Sequence, residues 1–183
     1  MALLNLGIPQ YEVRDDEART LVLTLMRCFA QKNTVRRAEY PDQPGSQCPG
    51  PQEFRYALLP HAGNWEAAGV LAEAYAFLLP LRVGQAGRST KGTLPRAMSF
   101  FEIAPGILQL SAVKRSEDGK RLVIRLWNPT DRPIEASLKC FRPPRSAHSL
   151  TLAEEKGAKL RIRQGAVLFT AGAKKIVTLG LGY

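Results

Sequence analysis

From Ile107 to Leu181 the sequence is a succession of short runs in which apolar and polar residues alternate, with turn signals between them. ILQLSAV (107–113) and RLVIRLWN (121–128) flank KRSEDGK, whose Asp118–Gly119 pair predicts a hairpin turn. In the second run Leu122, Ile124 and Leu126 alternate with Arg121, Val123 and Arg125. IEASLKCF (134–141) sends Ile134, Ala136, Leu138 and Cys140 to one side and Glu135, Ser137 and Lys139 to the other. That is the pattern of a half-buried antiparallel strand. AKLRIRQ (158–164) alternates as well, and AVLFTA and KIVTLGL close the chain. A period of two does not suit a helix. Several such strands in series predict a mainly β fold, an antiparallel β-sandwich.

The first half is less regular. RTLVLTLMRCF (19–29) is dense in Leu, Val and Thr and predicts a strand covered on both faces. Residues 33–52 hold four prolines and predict a long loop. EFRYALL (53–59) predicts a short strand stopped by Pro60. One helix is predicted over 64–79, with Asn64 as N-cap and Glu66 favourably placed in the first turn. Its apolar stripe is Trp65, Ala68, Ala72, Tyr75 and Leu79, and Pro80 ends it. A linker follows at 84–97. The 183 residues suit a single domain, 1–183, able to bury its own core.

The net charge of +10 allows an acidic partner, and nucleic acid is one class of such partner. No basic run exceeds two residues, and no aromatic–basic interleaving accompanies them, so no nucleic-acid partner is expected. Three cysteines without a CxxC pair argue against a disulfide framework or a zinc ribbon and for a reducing, cytoplasmic location. MALLNLGIPQ lacks the basic leader of a signal peptide, and no run is long enough to span a membrane, so no membrane association is expected.

Residues with chemical potential are few. Cys48, Glu53 and His61 lie close in sequence, but nothing in the spacing makes them converge. A catalytic zinc takes about three protein ligands, and the chain has two histidines. His61 is expected to hydrogen-bond backbone at a turn, and Cys48 to be a loop cysteine. The carboxylate groups Asp15–Asp16–Glu17, Glu117–Asp118 and Glu154–Glu155 fall in polar turns rather than in an acid–nucleophile pair. Trp65 is expected in the core. Trp127, on the strand face of Arg125, is the candidate for stacking on a sugar ring.

Taken together, LNLGIPQYEV, LVLTLMRC, PGSQCPGPQEFRYALLPHAGNW, LSAVKRSEDGKRLVIRLWNPT and KKIVTLGL resemble the C-terminal β-rich region of bacterial-type glycoside hydrolase family 38 α-mannosidases. The resemblance runs from about Leu3 to Leu181. It implies an accessory, structural domain that supports a catalytic α/β domain and lines its sugar site. In that family the zinc ligands and the carboxylate nucleophile belong to the N-terminal catalytic domain, which lies ahead of the matched region. No catalytic residue, metal ligand or cofactor is therefore carried over to this chain, which is expected to be inactive alone. Its implied partners are that catalytic domain and, in the intact enzyme, an α-mannoside.

The family's loop at the start of this region lies against the active site, where it can offer a backbone carbonyl to mannose. The matching positions are Asn5, Leu6 and Gly7, with Leu6 standing where a basic residue is more usual. Tyr11 and Glu12 follow in the same motif and are implied at the same interface. The alternative is a stand-alone carbohydrate-binding module using Trp127 or the Asn5–Glu12 loop.

Overall fold

The computed structural model describes residues 1–29, 44–85, 87 and 91–183. Backbone contacts gather into two compact units, Met1–Gly84 and Gln85–Tyr183. Both sheets of the sandwich lie in the second unit. Much of the loop predicted at 33–52, and part of the linker predicted at 84–97, lie outside the described residues.

The first unit contains β1 (Ala2–Leu6), β2 (Tyr11–Val13), β3 (Leu21–Leu23), a 3-10 turn at Pro44–Gln47, β4 (Arg55–Leu59) and α1 (Val70–Leu78). β1 pairs antiparallel with β4, setting Leu3 opposite Leu58 and Asn5 opposite Tyr56. α1 packs on β1. β2 and β3 form a hairpin held by the Asp16 carboxylate, which accepts from Thr20 N at 2.8 Å and from Thr20 Oγ1 at 2.7 Å.

Two expectations need correction here. The strand predicted over 19–29 is paired only at Leu21–Leu23, because β2 offers just three residues as partner. Leu25 and Met26 beyond it are exposed rather than covered. The helix predicted over 64–79 begins at Val70. Asn64 Oδ1 does accept from Glu66 N and Ala67 N, as an N-cap would, but it closes a turn. Gly69 then takes φ 64°, a left-handed conformation that interrupts any helix from Asn64. The covered side of α1 is Val70, Leu71, Ala74 and Tyr75, whereas Ala72 and Leu79 of the predicted stripe are exposed.

The second unit contains β5 (Phe101–Ala104), β6 (Gln109–Arg115), β7 (Leu122–Trp127), β8 (Ile134–Cys140), β9 (Ser146–Leu150), β10 (Lys156–Lys159), β11 (Arg161–Arg163), β12 (Ala166–Ala171) and β13 (Ile176–Gly182). One antiparallel sheet runs β10-β9-β13-β7-β6 and the other β11-β12-β8-β5. Ile124, Leu126, Leu179 and Leu181 of the first meet Ala136, Leu138, Val167 and Phe169 of the second in one core. These positions are the apolar phase of each alternation, so register and burial specify one another. β6 and β7 form the hairpin predicted around Asp118–Gly119. Ser116 Oγ donates to Asp118 at 2.5 Å, and Gly119 takes φ 69°.

The run at 158–164 is two strands. Leu160 donates its N–H to Ala147 O at 2.9 Å and marks the crossing from one sheet to the other. Val123, grouped by alternation with the arginines, is fully buried. Leu150 lies over Gly180, where a Cβ would sit 2.9 Å from Leu150 Cδ1, and Gly180 pairs with Val123. The turn at 151–155 continues across the same outer face. Arg125 Nη2 reaches Leu152 O, and Lys114 Nζ reaches Glu154.

The strand-free segment after β7 is pinned by one side chain. Asn128 is fully buried. Its Nδ2 donates to the carbonyls of Arg132, Ala171 and Gly172 at 2.8, 3.1 and 3.0 Å. Its Oδ1 accepts from Thr130 N and Oγ1. One amide thereby supplies the hydrogen bonds that the β7–β8 turn and the β12–β13 turn lack.

Candidate functional site

The loop after β1 is a built turn. Asn5 Oδ1 accepts from Ile8 N at 3.1 Å. Gly7 takes φ +75°, a left-handed conformation that suits glycine. Ile8 is buried and anchors the turn, while Leu6 stays 44% exposed. The chain then enters β2, where Tyr11 is 71% exposed. Tyr11 and Glu12 are consecutive strand residues and point to opposite faces, so they do not present side chains to one ligand together. Glu12 stands 4.0 Å from Arg14.

Beside this turn the first unit has an apolar recess of about 450 Å³. Leu3, Tyr56 and Leu58 come from the β1–β4 pair, and Leu21, Leu23 and Leu25 from the β3 segment. Tyr56 and Leu58 share a face by register and are both exposed. The alternation in RYALL carries this signal, because its second and fourth residues face one way. A short strand read only as a strand gives no hint that this face stays open.

Trp65 is not in the core expected for it. Trp65 is exposed, since the helix that would have buried it starts five residues later. Trp127 is half-buried, with Gln109 and Ile176 as its strand neighbours.

Cys48, Glu53 and His61 each have separate surroundings. Cys48 Sγ lies 3.8 Å from Gly45 O, and Glu53 pairs with Arg55 at 2.7 Å. His61 Nδ1 is enclosed with no hydrogen-bond partner, in place of the backbone bond expected for it. Among the described residues no three His, Cys, Asp or Glu side chains converge as metal ligands.

The carboxylate groups serve turns. Asp16 is held below its ordinary value, chiefly by the Thr20 N–H. Asp118 is held well below the carboxylate range, first by the Ser116 hydroxyl and then by the Lys120 N–H. Glu154 is lowered by the Lys114 ammonium and by the Glu117 N–H. A carboxyl kept ionised in this way is a poor proton donor near neutrality. At the end of the second unit a mostly apolar cavity of about 480 Å³ is lined by Phe100, Phe101, Phe141 and Tyr183. Burial and the adjacent Cys140 push the Tyr183 hydroxyl up to about 12.

The fold thus defines a class: a two-sheet antiparallel sandwich joined in sequence to a small strand–helix unit, with no catalytic constellation among its described residues. Residues 108–179 match the Glycosyl hydrolases family 38 C-terminal beta sandwich domain, and the chain as a whole is similar to the C-terminal region of that family's α-mannosidase-like proteins. The crystal structure of an α-mannosidase from Enterococcus faecalis V583 aligns with 98% of this chain and 19% of its own, at TM-score 0.76 and 26% identity. A protein from Halalkalibacterium halodurans named "Putative mannosylglycerate hydrolase" is 30% identical over 129 residues, which is 70% of this chain and 14% of that protein. Human Alpha-mannosidase 2C1 is 27% identical over 135 residues, 71% of this chain and 13% of its own length. The chain spans about one seventh of the length of these curated relatives. No helix among the described residues is long and apolar enough to cross a membrane.

Proposed function

We propose that this chain is the accessory part of an α-mannoside-cleaving glycosyl hydrolase, docking on a family 38 catalytic domain and completing the wall of its sugar site. The observation that carries this reading is the full-length alignment to one fifth of a solved α-mannosidase, both units included. The open recess around Leu3, Tyr56 and Leu58 supports it, because an exposed apolar face of this kind suits a protein interface. The surplus of basic residues would favour an acidic face on the catalytic domain.

In this reading the Asn5–Gly7 turn is the element nearest the sugar, with Tyr11 and Glu12 at its flank. A turn locked by the Asn5 side chain keeps its backbone fixed whatever residue occupies position 6, so Leu6 in place of a basic residue is tolerated for a backbone contact. Zinc and the nucleophile belong to the catalytic domain, and the three free cysteines suit a reducing cytoplasm.

Assay of a nitrophenyl α-mannoside tests the proposal. The family 38 catalytic domain of the source organism should gain activity when this chain is added, and the chain alone should give none. Turnover by the chain alone would overturn the reading, as would a catalytic domain indifferent to the chain.

A further inference from the structure

Cys28 closes the segment that follows β3, and Cys48 directly follows the 3-10 turn at Pro44–Gln47. Phe29 donates its N–H to Ser46 O at 3.3 Å, which holds the two segments side by side. The Cys28 and Cys48 side chains lie close enough to influence one another. Both cysteines are exposed, whereas Cys140 is buried among the sandwich core residues. Cys48 takes φ +45°, and its sulfur also lies 3.8 and 3.9 Å from the carbonyls of Gly45 and Ser46. Desolvation, and then the neighbouring Cys48, push the Cys28 thiol up.

We infer that Cys28 and Cys48 are a redox pair that closes to an intramolecular disulfide by exchange with a low-molecular-weight disulfide. One cysteine thiolate attacks the small disulfide, forms a mixed disulfide and expels one small thiolate. The second cysteine thiolate attacks the protein sulfur of that mixed disulfide and expels the other. Two protein thiols are oxidised, one small disulfide is reduced to two thiols, and the two cysteine protons end on those thiols. The cross-link ties the segment carrying Leu25, one wall of the apolar recess, to the 3-10 turn. It needs no catalytic domain, so it stands apart from the proposed function.

The test is oxidation of the native chain with oxidised glutathione, alkylation of remaining thiols, and trypsin digestion without reduction. Lys32, Arg36 and Arg37 lie between the two cysteines, so closure should yield peptide 28–32 linked to peptide 38–55. Two thiols should be lost, Cys140 should remain alkylatable after unfolding, and dithiothreitol should restore all three. Cys28→Ser or Cys48→Ser should abolish the linked peptide and leave glutathione on the remaining partner. Glutathione on both cysteines separately, or a disulfide between two chains, would overturn the inference.

Discussion

Glu154 and Lys114 meet at 2.7 Å on the outer face of the five-stranded sheet, and the Glu154 side chain is only 8% exposed. Glu154 Oε2 also accepts the Glu117 N–H at 2.9 Å. The turn between β9 and β10 is thereby fastened to the far edge strand β6, across β13 and β7.

This contact predicts a pH dependence with two limbs. Glu154 has a lowered pKa, so its contribution is complete above its ordinary value of 4.5 and is lost as pH falls through the lowered one. Lys114 is raised, first by Glu117 and then by Glu154. Its contribution is complete below its ordinary value of 10.5 and is lost as pH rises through the raised one. Thermal denaturation across pH should show stability falling at both ends. Glu154→Gln should flatten the acid limb, and an unchanged acid limb would mean the contact carries no linkage.

Asn128 should be intolerant of truncation. Asn128→Ala leaves the buried carbonyl of Ala171 and the part-buried carbonyls of Arg132 and Gly172 without their shared donor. An unsatisfied buried group costs about 1–3 kcal/mol. Urea denaturation should give a loss in that range or above it. A loss within the range of ordinary surface substitutions, about 0.5 kcal/mol, would show that water replaces the amide.

Gly180 makes room for Leu150. A Cβ at Gly180 would stand 2.9–3.1 Å from three Leu150 side-chain carbons, and Leu150 is buried and cannot swing away freely. Gly180→Ala should destabilise by about 1–3 kcal/mol, the usual cost of overpacking. Pairing it with Leu150→Ala should recover part of that loss in a double-mutant cycle, and strict additivity would contradict the contact.

How much of this was legible follows from how each residue obtains its cover. β6, β7, β8, β12 and β13 are readable because each turns one apolar phase to the shared core, which period-two alternation records. β1, β5 and β9 are short and weakly patterned, and only their pairing partners make them strands. Val123 escapes the alternation because Leu150 and the turn after it cover a face that a two-layer sandwich leaves open. The exposure of Trp65 was hidden for a different reason. Gly69 can adopt a left-handed conformation, and the sequence does not say that it must. At the candidate site the Asn5–Gly7 turn is named by motif, whereas its lock through Ile8 N and the adjoining Tyr56–Leu58 face come only from register.

The turn itself offers a separate test. Asn5→Ala removes the acceptor for Ile8 N, and Gly7→Val places a β-branched residue at φ +75°. Both should loosen the first unit while the second unit, whose core includes neither residue, keeps its unfolding transition. Added to the catalytic domain, both variants should support less mannoside hydrolysis than the native chain. Full support by both would remove this turn from the sugar site.

The first unit's open apolar face should receive the catalytic domain, and calorimetric titration of that domain with this chain measures the contact. Binding should be saturable and abolished by Leu58→Asp, with the unfolding of the second unit unchanged in the variant. No binding by the native chain, or equal binding by native and Leu58→Asp chains, would contradict it.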